Sequence, residues 1–131
     1  MASSLAVKLQ IKPGQRLAVL NAPEGRLALL ADELPGIAVT AGVTGQVDSV
    51  LLFVHSLAET ARLLGSAIEA VPPGRPLWIA YRKGTSGVQT DVNRDRLWKA
   101  IEPSGWRPVR QVALDDVWSA MRFQPVVLVG Q

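Results

Sequence analysis

Short apolar runs alternate with amphipathic segments along most of the chain. Residues 16–20, 37–40, 50–54 and 76–81 are apolar runs too short for helices. Continuous apolar runs of this length are typical of parallel strands that helices cover on both faces. Residues 24–34 and 56–71 instead carry apolar side chains at helical spacing and end at prolines. The pattern predicts repeated strand, helix and strand units.

The last third of the chain predicts a different connection. A helix with Leu97, Trp98 and Ile101 on its core face precedes two strand-like segments, 106–114 and 118–124, which the short turn between them joins as an antiparallel hairpin. A parallel sheet that ends in this way is typical of the methyltransferase-like variant, with the last strand between the fourth and fifth. We therefore predict one three-layer Rossmann-like α/β domain with the strand order 2-1-3-4-6-5.

This domain is expected to include the whole sequence. Residues 1–14 form an amino-terminal helix and turn, 15–124 the core, and 125–131 a tail. With 131 residues, 48% hydrophobic and 19% charged, the chain has the composition of one packed domain.

Composition also excludes several kinds of chemistry. The absence of cysteine excludes disulfides and thiol nucleophiles, and one histidine argues against a metal site. Neither a membrane-length apolar run nor a leader pattern is present at the start, so we expect a cytoplasmic protein without membrane contact. The net charge is +3, but acids interrupt the basic residues at 94–110, which disfavours nucleic-acid binding.

Polar residues concentrate where the predicted strands end, and ligands of open α/β sheets bind at that edge. The residues concerned are Asn21, Glu24 and Gly25 after the first strand, His55 after the third, and Lys83, Ser86, Thr90 and Asp91 after the fourth. Lys83 is the candidate that would hold a small anion, assisted by the hydroxyls of Ser86 and Thr90. The alternative for Lys83 is a solvated side chain paired with Asp91.

Three further candidates have equally ordinary alternatives. His55 is either a general acid or base or a surface residue with local hydrogen bonds. Asp116 either transfers a proton or forms a turn. Trp118 either stacks on a planar ligand or belongs to the core.

The first turn does not carry a standard cofactor motif. Residues 21–25 contain one glycine, a proline and a carboxylate, and residues 40–42 supply no acid for a ribose. No standard motif for NAD or S-adenosylmethionine and no P-loop is present, so the sequence leaves the cofactor open.

Several short motifs resemble those of one family. They are residues 11–14 (IKPG), 20–25 (LNAPEG), 77–79 (LWI), Lys83 with 86–87 and 90–91, 116–119 (DVWS) and 122–123 (RF). Together they resemble the bacterial domain-of-unknown-function family numbered 3052, from Leu5 to Phe123. The resemblance implies a small α/β domain of uncharacterised function.

Three hypotheses about function follow. The leading one is a non-catalytic or ligand-binding module with a degenerate cofactor turn. The second is a small enzyme acting on an anionic metabolite, or a relative of S-adenosylmethionine-dependent methyltransferases. The third is an interaction module or homodimer that uses the edge of the hairpin, where we expect Trp106 and Trp118.

Overall fold

The computed structural model describes residues 4–42, 45–83 and 90–126. Its strands are β1 (Arg16–Leu20), β2 (Ala38–Ala41), β3 (Ser49–Phe53), β4 (Leu77–Arg82), β5 (Trp106–Ala113) and β6 (Trp118–Pro125). Its helices are α1 (Ser4–Leu9), α2 (Arg26–Glu33), α3 (Leu57–Ala70) and α4 (Arg94–Ile101), the last followed by a 3-10 turn at Glu102–Ser104. The strands predicted from apolar runs are therefore confirmed to within one residue at each end.

The six strands form one sheet in the order β2-β1-β3-β4-β6-β5, which confirms the predicted order. Strands β1 to β4 are parallel to one another, whereas β6 is antiparallel to both β4 and β5. From β1 the chain moves outward to β2 and then returns to β3 on the other side of β1. The strand order therefore reverses between β1 and β3, and this place is the switch point of the sheet.

Two apolar clusters lie on opposite faces of the sheet. The first face packs Phe53 and Trp78 against Leu9 and Leu30, which come from α1 and α2. The second face packs its own strand residues against α3 and α4, through residues such as Leu64, Leu97, Ile79 and Phe123. All residues of β3 are buried, as expected for a central strand covered on both faces.

Two tryptophans test the prediction, and Trp98 departs from it. Trp98 was expected in the core, but 38% of it is exposed, because Leu97 and Ile101 already form the buried face of α4. Residue 98 lies about 100° around the helix from residue 97 and faces outward. Trp118 was expected at the edge of the hairpin only under the third hypothesis; β6 lies inside the sheet and Trp118 is buried, which agrees with the alternative of a core residue.

The true edge on this side is β5. It carries Pro108, a register irregularity between Pro108 and Arg110, and exposed charged side chains. These features oppose pairing with another strand. Trp106, at the start of β5, is partly buried against the second face.

In the described part of the chain, no helix has the length and apolar character needed to cross a membrane. The same residues contain no group of three or more histidine and acidic side chains placed to hold a metal ion.

Candidate functional site

The switch point is crossed by the side chain of Asn21. This residue follows β1 directly and adopts a left-handed backbone with φ of 58°, which asparagine tolerates better than most residues. Its Nδ2 donates to the carbonyl oxygen of Phe53 over 2.9 Å and to Oε1 of Glu59 over 2.7 Å. The amide of Asn21 thus joins the carboxyl ends of β1 and β3, where the crevice of the sheet would lie.

Glu59 is the acceptor that the hydrogen-bond donors of this network share. Ser56 caps α3 as predicted, because its Oγ accepts from the Glu59 amide over 3.0 Å. In a capping box the glutamate would reach back to the amide of Ser56. Instead, Glu59 Oε1 accepts from the His55 amide over 2.8 Å and lies 2.9 Å from His55 Nδ1. Glu59 therefore accepts hydrogen bonds from His55, the residue before the cap, and from Asn21.

The charge of Glu59 is favoured by these contacts. Burial by itself would raise the pKa of Glu59, but the hydrogen bonds from the side chain and backbone of His55 outweigh it and hold the pKa below its usual value. The bond from Asn21 acts in the same direction. We call Asn21, His55 and Glu59 the switch-point network.

His55 is oriented by its neighbours on several sides. Glu59 holds Nδ1, the ring lies edge-on to Trp118 with centroids 5.4 Å apart, and Thr90 Oγ1 donates to the His55 carbonyl over 2.9 Å. About a third of the side chain is exposed. A carboxylate that fixes one ring nitrogen is found in general-base pairs, and it equally satisfies a histidine with purely local bonds.

Thr90 and Asp91 are occupied by the protein itself. Thr90 Oγ1 also accepts from the Val92 amide over 3.1 Å, and Asp91 Oδ1 accepts from the Leu57 amide at the start of α3 over 2.9 Å. Among the described residues Asp91 forms no ion pair with Lys83, so the alternative in which these two side chains are paired is not observed. Ser86 lies outside the described residues.

The turn between β5 and β6 is organised by Asp115 and not by Asp116. Asp115 Oδ1 accepts from the amides of Val117 and Trp118 over 2.7 and 2.8 Å, whereas Asp116 is exposed. Asp115 Oδ2 lies 2.5 Å from Nη2 of Arg26, at the start of α2. Burial would raise the pKa of Asp115, but the bond from Arg26 and those from the two amides hold it below its usual value.

The other two candidate residues of the first turn face solvent. Glu24 and Gly25 are exposed, and Gly25 has a φ of 78° just before α2, a conformation that glycine adopts readily. Trp118, by contrast, is buried against Phe53, with ring centroids 5.1 Å apart, and beneath the Arg82 guanidinium at 5.3 Å. The interpretation of Trp118 as a core residue is therefore confirmed.

A cleft lies on the second face, beyond the end of β4. It has a volume of about 410 Å³ and is lined by Tyr81, Lys83, Asn93, Arg94, Asp95, Gln111 and Ser119. We call it the β4 cleft. Lys83 is fixed there through its amide, which donates to the Val117 carbonyl over 2.8 Å.

The lining of the β4 cleft has an excess of positive charge. Lys83 and Arg94 face one acid, Asp95, whose Oδ1 lies 3.4 Å from Nε of Arg94. Tyr81 accepts from Gln111 Nε2 over 3.0 Å, and burial raises the pKa of Tyr81 above its usual value, so its hydroxyl stays neutral. Of the predicted site residues described here, only Lys83 lines this cleft.

Comparison with known proteins bears on the fold. No family model matches the chain, so the resemblance to family 3052 stays a prediction. No curated protein matches it either. Among solved structures, an O-methyltransferase of neocarzinostatin biosynthesis in complex with S-adenosylmethionine is similar with a TM-score of 0.65 and 10% identity, over 94% of this chain and 53% of that one.

Two further structures agree. Mitomycin 7-O-methyltransferase MmcR has a TM-score of 0.63 and 13% identity, over 86% of this chain and 50% of its own. Fibrillarin of Aeropyrum pernix, with S-adenosyl-L-methionine bound, has a TM-score of 0.52 and 18% identity, over 92% and 74%. The chain has a methyltransferase-type fold. It spans about half the length of the two O-methyltransferases.

The residues at the switch point do not fit a cofactor of the usual kind. The Asn21 amide bridges the two strand ends, and Pro23 has no N–H to offer in the turn before α2. Thr40 and Ala41, at the end of β2, provide no carboxylate for a ribose.

Proposed function

We propose that this chain is a non-catalytic, ligand-binding relative of the methyltransferases that takes a small anionic compound in the β4 cleft. The observation that carries the proposal is the Asn21 amide, which occupies the switch point by bonding both Phe53 and Glu59. The Asn21 side chain thus ties together the strand ends at which a cofactor would usually bind, while the positively charged cleft beyond β4 is open.

The chemistry of the β4 cleft favours an anion. Lys83 and Arg94 supply two cations on one concave surface, where their fields add and attract an anion. Tyr81, Gln111 and Ser119 add neutral hydrogen-bonding groups that would orient the ligand. This combination suits a small phosphate or carboxylate compound.

A thermal-shift panel tests the proposal. The compounds are inorganic pyrophosphate, a dicarboxylate, NAD and S-adenosylmethionine, and the proteins are wild type, Lys83→Ala, Arg94→Ala and the control Lys99→Ala, from the exposed end of α4. A ligand at about 100 times its Kd stabilises by roughly 2.7 kcal/mol, which raises the Tm by several degrees. We expect an anion to do so in wild type and Lys99→Ala, and to lose its effect in the two cleft variants.

Two results would contradict the proposal. One is a shift with S-adenosylmethionine that survives in Lys83→Ala, which would indicate a working cofactor site at the switch point. The other is the same shift with an anion in all four proteins, which would show that the β4 cleft does not hold it.

A second candidate function is a small enzyme that uses His55 for proton transfer. The observation that favours it is the 2.9 Å contact between His55 Nδ1 and Glu59 Oε1, which would orient the ring and leave Nε2 for a substrate. Incubation of the protein with each compound that binds, followed by NMR, tests it. Consumption that is lost in His55→Ala while binding remains would establish this function, and an unchanged rate would exclude the role of His55.

A further inference from the structure

We infer that the hairpin of β5 and β6 contains a second anion site on the first face of the sheet, built from Arg110 and Arg122 and suited to a phosphate group. The two residues are direct cross-strand partners. Arg122 is also opposite Trp78, which is buried on the first face. Cross-strand partners point to the same side of a sheet, so both arginines belong to that face.

Directly opposed like charges destabilise a sheet, and here the pair is also partly buried. Arg122 is half-buried, and burial together with the positive charge of Arg110 lowers its pKa below the usual value. Among the described residues, the ion pairs of arginine involve Arg26, Arg62 and Arg94, and none involves Arg110 or Arg122. The repulsion is therefore not offset by an acid in this part of the chain.

The donors of Arg122 are only partly used. Its Nη1 donates to Oε1 of Gln10, while its Nε is buried and has no hydrogen-bond partner among the residues that the structure describes. A buried donor without a partner is costly, and an oxygen of a bound anion would satisfy it.

The end of α1 fixes the position of Gln10, the neutral hydrogen-bond partner of Arg122. The amides of Gln10 and Ile11 bond to the carbonyls of Val7 and Ala6 over 3.2 and 3.0 Å, and Gln10 has a φ of 60°. This is a Schellman ending, in which glycine is usual at the position of Gln10. The glutamine accepts from Arg122 without neutralising it, so the positive charge of the pair is kept.

Two adjacent guanidinium groups suit a phosphate, because each offers a planar fork of donors to its oxygens. Exposed Arg107, opposite Gln124 in the same hairpin, adds positive charge. Neither arginine lines the β4 cleft, although Arg110, at the edge of the sheet, also borders a cleft with Asp95 and Trp98 of α4. The inference is therefore independent of the proposed function.

Titration with inorganic phosphate at constant ionic strength, with chloride as the reference salt, tests the site. The proteins are wild type, Arg110→Gln, Arg122→Lys, the control Arg75→Gln, from the exposed turn after α3, and Lys83→Ala. The readouts are the Tm and the NMR signal of the Arg122 Nε–H group. Arg122→Lys keeps the charge and loses the fork, so it remains informative if Arg110→Gln alters the edge strand.

We expect phosphate to raise the Tm of wild type, Arg75→Gln and Lys83→Ala, and to shift the Arg122 signal of those proteins. Arg110→Gln removes the repulsion, so its Tm without phosphate should rise by about 1–3 °C while its response to phosphate is lost. Arg122→Lys should lose most of the response.

Three outcomes would overturn the inference. No response in wild type is one. An equal response in all five proteins is another, because excluded phosphate stabilises folded proteins in general. A response lost in Lys83→Ala and retained in Arg110→Gln is the third, since it would assign the phosphate to the β4 cleft. A phosphorylated sugar and a short oligonucleotide, tested in the same way, distinguish a phosphate monoester from a nucleic-acid backbone as the source.

Discussion

The switch-point network lies at the carboxyl ends of β1 and β3 and the β4 cleft beyond the end of the next strand of the sheet, yet they differ in how their polar groups are satisfied. In the network, Asn21 and His55 both direct donors to one oxygen of Glu59. In the cleft, two cations, Lys83 and Arg94, accompany a single acid, Asp95, whose ion pair in the described part of the chain is with Arg94. One region is complete without a ligand, and the other has a charge that a ligand would balance.

This difference limits what the position of a polar residue reveals. Both regions satisfy the rule that polar residues of an open α/β sheet gather at the strand ends. Partners distinguish them, because hydrogen bonds within the protein compete with those to a ligand. Changes in the network should therefore lower stability, and changes in the cleft should lower binding.

Trp118→Ala should have the largest effect. The ring packs against Phe53 and His55 and under Arg82, so its removal leaves a cavity beneath the network. We expect the free energy of unfolding to fall by about 3–5 kcal/mol in urea denaturation. Trp98→Ala, on the exposed face of α4, is the matched control and should cost far less. Equal losses would mean that Trp118 does not support the network.

Much of the fold could be predicted because its signals are local. Runs such as 50–54 are apolar throughout only if both faces are covered, and β3 is indeed buried along its whole length. The hairpin after α4 needed only a short turn between two strand-like segments, and the position of β6 followed from it. The prediction for Trp98 was wrong because Leu97 and Trp98 are adjacent in the sequence, and their spacing does not show which of these two side chains points toward the sheet.

The site could be predicted less well, because its contacts are distant in sequence. The pattern at Ser56 and Glu59 predicted a capping box, but the glutamate bonds Asn21, 38 residues away, and that partner is set by the pairing of β1 with β3. The role of Asp115 had a local signal, since aspartate often accepts from amides two or three residues on. Whether Arg110 lies opposite Arg122 depends on the register of β5 against β6. The irregularity between Pro108 and Arg110 shifts that register, and the sequence does not show the shift.

Two substitutions at Asn21 distinguish the contribution of its side-chain hydrogen bonds to stability from that of its left-handed backbone conformation. Asn21→Gly removes both hydrogen bonds but keeps the left-handed backbone, whereas Asn21→Ala also strains it. We expect unfolding free energies lower by about 1 kcal/mol for glycine and about 2 kcal/mol for alanine. If the glycine variant is as stable as wild type, the bridge does not stabilise the switch point. Binding of S-adenosylmethionine to Asn21→Gly alone would show that the bridge is what excludes it.

Glu59→Gln should produce a smaller loss that depends on pH. The pKa of Glu59 is lowered in the folded protein, so its charge stabilises the fold above the ordinary value of 4.5, and this contribution is lost as the pH falls through the lower folded-state pKa. At neutral pH we expect the variant to be less stable by about 1 kcal/mol. The difference from wild type should close below pH 4.5. Glu69→Gln, at the exposed end of α3, should show no such dependence, and a constant difference for Glu59→Gln would argue against the network.

The cleft variants should have the smallest effect on stability. Arg94 is exposed and contacts only its neighbour Asp95 at 3.4 Å among the ion pairs of the described residues, and the fixed part of Lys83 is its backbone amide. Truncation of either side chain removes little packing, so Lys83→Ala and Arg94→Ala should unfold within about 0.5 kcal/mol of wild type. Urea denaturation without ligand checks this. A loss as large as that of Asn21→Ala would mean that the cleft residues stabilise the fold as the network does, and the contrast between the two regions would then disappear.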